Sequence, residues 1–109
     1  MSFLINKKIL GLIGLATRAG KACFGADSVE LKIKKKKINL VIIAVDSSDR
    51  TKCKFKNLCE EYKIPIIIEG KIENLSKAIG KSNKAIIGIE DSNFASEIQK
   101  INNGGEAIG

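Results

Sequence analysis

Leu40-Val41-Ile42-Ile43-Ala44-Val45 is apolar at every position, and the reading of this run decides the fold class. A surface helix buries one stripe and would break such a run with polar residues every third or fourth place. A half-buried strand would alternate. A short run that is apolar on both faces and rich in β-branched residues is the pattern of a central strand covered on both sides. Downstream, Asp46-Ser47-Ser48-Asp49 is a polar loop that ends in a helix N-cap. Residues 50–62 then place Phe55, Leu58, Cys59 and Tyr62 at i, i+3, i+4, i+7, a helical face. Pro65 opens a strand over Ile66–Glu69. Ile72, Leu75 and Ile79 make a short helix stopped by Gly80. Ala85–Glu90 is a further strand, and Asp91-Ser92 caps a last helix over about 93–101. The tail 102–109, with Gly104-Gly105, is expected to fray.

Upstream, the pattern is less uniform. Ile5, Ile9, Leu12, Ile13 and Ala16 share one helical face over 5–17, in which Gly11 and Gly14 cost propensity but allow close packing. Gly20 stops that helix, and Ala22–Phe24 is a short apolar stretch. Residues 27–37 support two readings. Val29, Leu31 and Ile33 alternate with Glu30, Lys32 and Lys34 as in a strand, yet Val29 and Ile33 form an i, i+4 pair and Asp27 with Glu30 resembles a capping box. A helix is preferred because Leu40–Val45 is the much stronger strand. Alternating β and α segments predict an α/β sandwich with a largely parallel sheet.

The 109 residues suit a single domain, 1–109, with a core over about 5–101. No apolar run reaches the ~20 residues that cross a bilayer. Met1–Ile5 is apolar but is followed by Lys7-Lys8, the reverse of a signal peptide's order. A cytoplasmic protein with no membrane association is expected. Cys23, Cys53 and Cys59 form no Cys-x-x-Cys pair, and histidine is absent. The cysteines are therefore read as small residues in or near a reduced core, with no metal site. The net charge of +7 favours a polyanionic partner. Lysine, isoleucine and asparagine, which all have A/T-rich codons, are plentiful, however, while arginine occurs only at Arg18 and Arg50. A compositional origin for the lysines stands beside a functional one.

Several motifs fail on inspection. Gly14-Leu15-Ala16-Thr17-Arg18-Ala19-Gly20-Lys21 superficially suggests a P-loop, but five residues separate the glycines instead of four, and Ala22 stands where Ser or Thr would coordinate magnesium. The segment also ends a helix, whereas a P-loop opens one. Without histidine, Ser-His and Cys-His chemistry are excluded. Asp46, Asp49 and Asp91 lie after strands, where α/β active sites gather, but helix capping accounts for each. No catalytic residue and no cofactor are assigned.

Gly25-Ala26-Asp27-Ser28 joins a short strand to a lysine-rich helix. A helix N-terminus offers free N–H groups and a positive dipole end to a phosphate. Lys21 would flank the loop, and Lys32 and Lys35 would extend the positive surface. Short polar side chains there suit the base edges of unpaired or distorted RNA. A capped helix with a solvated lysine face fits the same residues, and pattern alone leaves both open.

The order of motifs adds a resemblance. Gly20-Lys21, then Phe24-Gly25-Ala26-Asp27-Ser28-Val29, then Ile38-Asn39-Leu40-Val41-Ile42-Ile43-Ala44 resembles the kink-turn-binding ribosomal protein family, that of archaeal L-seven-Ae and eukaryotic L-thirty-e. Lys63-Ile64-Pro65-Ile66, Leu75-Ser76-Lys77-Ala78-Ile79-Gly80-Lys81 and Ala85–Ile89 followed by Asp91 are similar to it as well. Ile9-Leu10-Gly11-Leu12, Ala16 and Arg18-Ala19-Gly20-Lys21 look like its small bacterial YlxQ-type members. The resemblance spans roughly 5–101. It implies a three-layer α/β/α sandwich with a mixed four-stranded sheet, and binding to kink-turns, which are sharply bent RNA internal loops. Ribosomal or other structured RNA is the implied partner, with ribosome association and a monomeric protein.

Carried over, Gly25 matches the glycine that lets backbone approach RNA. Asp27 stands at the family's asparagine position and Ser28 at its glutamate position, while Leu31 lies near the usual lysine with Lys32 adjacent. Ile79, Gly80, Lys81 and Ser82 form the implied second contact loop, and Asp46 lies near the RNA face. Asp27 accepts from a guanine amino group but cannot donate as asparagine does, and Ser28 is shorter than glutamate. Each base-edge hydrogen bond that these two residues leave unmade costs about 1–3 kcal/mol. The alternative is a protein–protein interaction domain that keeps the fold without specific RNA binding. A small-ligand or nucleotide enzyme using the Asp46 region is a third reading.

Overall fold

The computed structural model describes residues 6–103. Met1–Ile5, and the Gly104–Gly109 part of the tail expected to fray, lie outside the described residues. The chain runs α1 (Lys7–Arg18), β1 (Ala22–Phe24), α2 (Ala26–Lys34), β2 (Leu40–Ile43), α3 (Asp49–Tyr62), β3 (Ile66–Ile68), α4 (Ile72–Ala78), β4 (Ile86–Ile89) and α5 (Ser92–Asn102). The ambiguous 27–37 segment is the helix α2. Its capping box does not form. The helix starts early, with Gly25 as N-cap, so Asp27 lies inside the first turn. Glu30 is drawn across to Lys54 on α3 at 2.8 Å and down its own helix to Lys34 at 3.2 Å, which holds its carboxyl below the usual carboxylate range.

The sheet order is β1-β4-β2-β3. β2 pairs parallel with β3, while β4 pairs antiparallel with both β1 and β2. The three layers and the mixed four-stranded sheet are as expected. The expected predominance of parallel pairing is corrected: β1, β2 and β3 share a direction, but β4 is inserted between β1 and β2 in the opposite one. Alternation of β and α segments carries no information about that insertion.

β2 is fully buried on both faces, as the apolar run requires. Leu40, Ile42 and Ala44 join Ile9, Ile13 and Ala16 of α1, Leu75 of α4 and Ala95 and Ile98 of α5 in one core. Val41 and Ile43 face the other way, onto Val29 and Ile33 of α2 and Phe55 and Cys59 of α3. Two glycines set close approaches. A Cβ on Gly14 would lie 3.0 Å from the Ala78 carbonyl oxygen, whereas one on Gly11 would meet nothing within 4 Å. A Cβ on Gly88, in β4, would lie 2.9 Å from Ile38 Cδ1 and 3.0 Å from Cys23 Sγ. Gly88 therefore lets the α2 layer settle onto the sheet beneath the 25–28 loop.

Cys23 and Cys59 are buried, and Cys53 is exposed. Burial pushes the Cys59 thiol up to about 11 and raises Cys23 as well. Among the described residues no helix is long and apolar enough to cross a membrane.

Candidate nucleic-acid interface

The carboxyl ends of β1, β2 and β3 converge with the start of β4, and short hydrogen bonds tie their loops together. Gly25 N–H donates to the Ile86 carbonyl at 3.0 Å, Ala44 N–H to that of Ala85 at 2.9 Å and Val45 N–H to that of Gly70 at 2.7 Å. Gly25 holds φ +92 and ψ 151, a combination that is essentially restricted to glycine. No side chain caps α2, so the first N–H groups of that helix stay open to an acceptor from outside. Ala26, Asp27 and Ser28 are exposed around this opening.

The 79–82 loop meets the same place. Lys81 Nζ sits 5.9 Å from the centroid of the Phe24 ring, within cation–π range, so the loop leaving α4 touches the residue just before Gly25. Gly80 turns the chain with φ +70. Ser76, only 3% exposed, anchors the loop: its Oγ accepts from Lys84 N–H at 2.7 Å and donates to the Lys84 carbonyl at 3.2 Å. Ile79 is buried in the core, so it seats the loop and leaves Gly80, Lys81 and Ser82 exposed.

Asp46 completes this end as a capping residue for a neighbouring helix. Its Oδ1 accepts from Ile72 N–H at 2.9 Å, and Lys71, the N-cap of α4, makes no side-chain cap bond. Ser48 caps α3, accepting from Thr51 N–H at 3.1 Å, and Asp91 caps α5, accepting from Phe94 N–H at 2.9 Å. Capping thus accounts for Asp46 and Asp91, and Asp49 falls in α3's first turn. A groove of about 480 Å³ runs between Asp46, Glu73, Lys77, Lys81 and Ser82.

The structure therefore brings together Gly25, Ala26, Asp27, Ser28, Asp46, Gly80, Lys81 and Ser82. It does not bring Lys21 or Lys32 to them. The carbonyl of Lys21 accepts from Glu90 N–H at 2.8 Å, at the opposite end of β1. Lys32 Nζ is ion-paired with Glu90 at 2.9 Å, an interaction that raises its pKa. Sequence reasoning missed Phe24, Ser76 and Lys84. Phe24 and Lys81 are far apart in the chain, and a buried serine in a short helix carries no pattern that announces an anchor.

The family's sequence profile matches residues 7–99. The chain belongs to the ribosomal protein L7Ae/L30e/S12e/Gadd45 family. The RNA-binding protein YlxQ of Enterococcus faecium is 34% identical over 88% of this chain and 92% of its own length. The large ribosomal subunit protein eL8 of Thermoplasma volcanium is 29% identical over 88% of this chain and 80% of its own. A solved structure of a protein with unknown function from Bacillus halodurans C superposes with a TM-score of 0.87 at 32% identity, covering 90% of this chain and 99% of that one. The L7Ae/L30e resemblance seen in the sequence and the three-layer fold thus agree with each other.

Proposed function

We propose that this chain is an RNA-binding protein of ribosomal type that recognises bent or looped, kink-turn-like RNA through the 25–28 and 79–82 loops. The observation that carries the reading is the meeting of those loops, with Lys81 over Phe24 beside the uncapped, glycine-led start of α2. Relatives named as an RNA-binding protein and as a large ribosomal subunit protein support it. Open N–H groups donate to phosphate or base oxygens, Gly25 lets backbone come close, and Asp27 and Ser28 offer acceptors to base edges exposed by a bend. Lys77 and Lys81 supply phosphate contacts, so affinity falls with salt. In this reading the protein acts in the cytoplasm as a monomer, without cofactor and without catalysis.

The test is a calorimetric titration against a kink-turn RNA and a duplex of equal length and charge, at two salt concentrations. A preference for the kink-turn that persists at the higher salt is expected. Equal, salt-labile binding to both would sink structure-specific recognition. The acidic character of the same end, with Asp27, Asp46 and Glu73 exposed, favours one second reading, a protein-interaction domain. It requires a specific protein partner that competes for the 25–28 loop and RNA binding indifferent to the bend.

A further inference from the structure

At the amino ends of β2 and β3, opposite the 25–28 and 79–82 loops, lies a groove of about 650 Å³. Lys36, Asn39, Glu61, Tyr62 and Lys63 surround it over an apolar floor that includes Ile38 and Pro65. Lys36 follows the end of α2 and Lys63 is the C-cap of α3, and both hold left-handed backbone, with φ of 60 and 58. Neither lysine has an acidic partner among the described residues. Lys35 and Lys37 are exposed beside them.

We infer that this groove takes a single-stranded RNA segment, at a second site separate from the loops at the other end of the sheet. The inference rests on the RNA-binding reading for its class of ligand. An aromatic ring set between cations in an apolar-floored groove is how sequence-tolerant single-strand binders hold a nucleotide. The base stacks on Tyr62, the flanking phosphates lie against Lys36 and Lys63, and Glu61 accepts from an exocyclic amino group where the base has one. Attraction of the two lysines to the helix C-termini accounts for their placement, and packing against the α2–α3 core accounts for part of Tyr62, but neither accounts for the open groove between them.

Tyr62 is the single tyrosine of a chain without tryptophan, so its emission reports this groove directly. The experiment titrates the full chain with hexauridylate, free and presaturated with a kink-turn RNA lacking single-stranded ends. Saturable quenching is expected, with a midpoint that the kink-turn RNA leaves unchanged. In Lys36→Gln/Lys63→Gln the midpoint rises roughly ten-fold and the log–log salt slope flattens by about 1.4, at about 0.7 per phosphate contact on a single strand. Lys36→Arg/Lys63→Arg, which keeps the charge, retains the midpoint, and equal melting temperatures show that the variants fold. Absent quenching, a midpoint indifferent to the glutamine pair, displacement by the kink-turn RNA, or equal quenching by a polyglutamate peptide would each overturn the assignment. Kink-turn binding without quenching removes this site and leaves the proposed function standing. Quenching without kink-turn binding does the reverse.

Discussion

The two ends of the sheet differ in how they are built. At the carboxyl ends of β1, β2 and β3, loops are locked to one another by backbone hydrogen bonds, a buried serine and a cap from the loop after β2 onto the start of α4, and exposed acids and lysines mix there. At the amino ends, cations cluster around the close of α2 and α3, and the backbone is tied down less by side chains. There Lys32 of α2 pairs with Glu90, just past the end of β4. One end is organised by shape and the other by charge. Locked loops can distinguish a bent RNA from a straight one, whereas clustered cations reward any polyanion unless the groove and ring between them select a nucleotide.

The largest effect that would break this contrast is expected at Ser76. Ser76→Ala leaves Lys84 N–H without its acceptor and should cost about 1–3 kcal/mol in urea unfolding, with weaker kink-turn binding as the 79–84 loop loosens. Unchanged stability would mean that the loop is not locked. Gly25→Ala comes next. Nothing lies within 4 Å of the added Cβ, but φ is +92, so strain of about 1–3 kcal/mol is expected without a clash. Full recovery of stability and binding would show that the turn relaxes freely. Lys81→Ala should flatten the salt slope for kink-turn RNA by about 0.9, whereas Lys21→Ala should leave it unchanged. Equal slopes in a salt titration would erase the distinction between the ends. The smallest effect concerns Cys59, in the core between them. Its folded thiol is raised from 9.0 to about 11, so the unfolded chain loses that proton first and stability declines as pH rises across that window. Cys59→Ala should flatten this alkaline limb in pH-resolved melts.

Much of the fold was legible in residue pattern. Leu40–Val45 announced a strand buried on both faces, and β2 is buried throughout. Phe55 and Cys59 marked the inner face of α3, and Asp91 marked the start of α5. The site was legible only in part. Gly25–Ser28 stood out in residue pattern with two readings open, Ile79–Ser82 came from the family resemblance, and the structure brings the two loops to one end. Lys21 is close to Gly25 in sequence, yet the intervening β1 is extended at about 3.3 Å per residue, which carries it to the other end of the sheet. Lys32 is led the same way by α2, which runs back down from Gly25.

By itself the sequence determined most of the helices and strands, with 27–37 left between the two, and that one strand is covered on both faces. Those are local properties, set by the spacing of apolar side chains along the chain and by caps a few residues away. Only the tertiary structure decided that β4 enters between β1 and β2 in the reverse direction, and that Lys81 rests on Phe24. Both depend on which buried faces meet and in what register, which is set by the packing of distant segments and by the close approach that Gly14 and Gly88 permit.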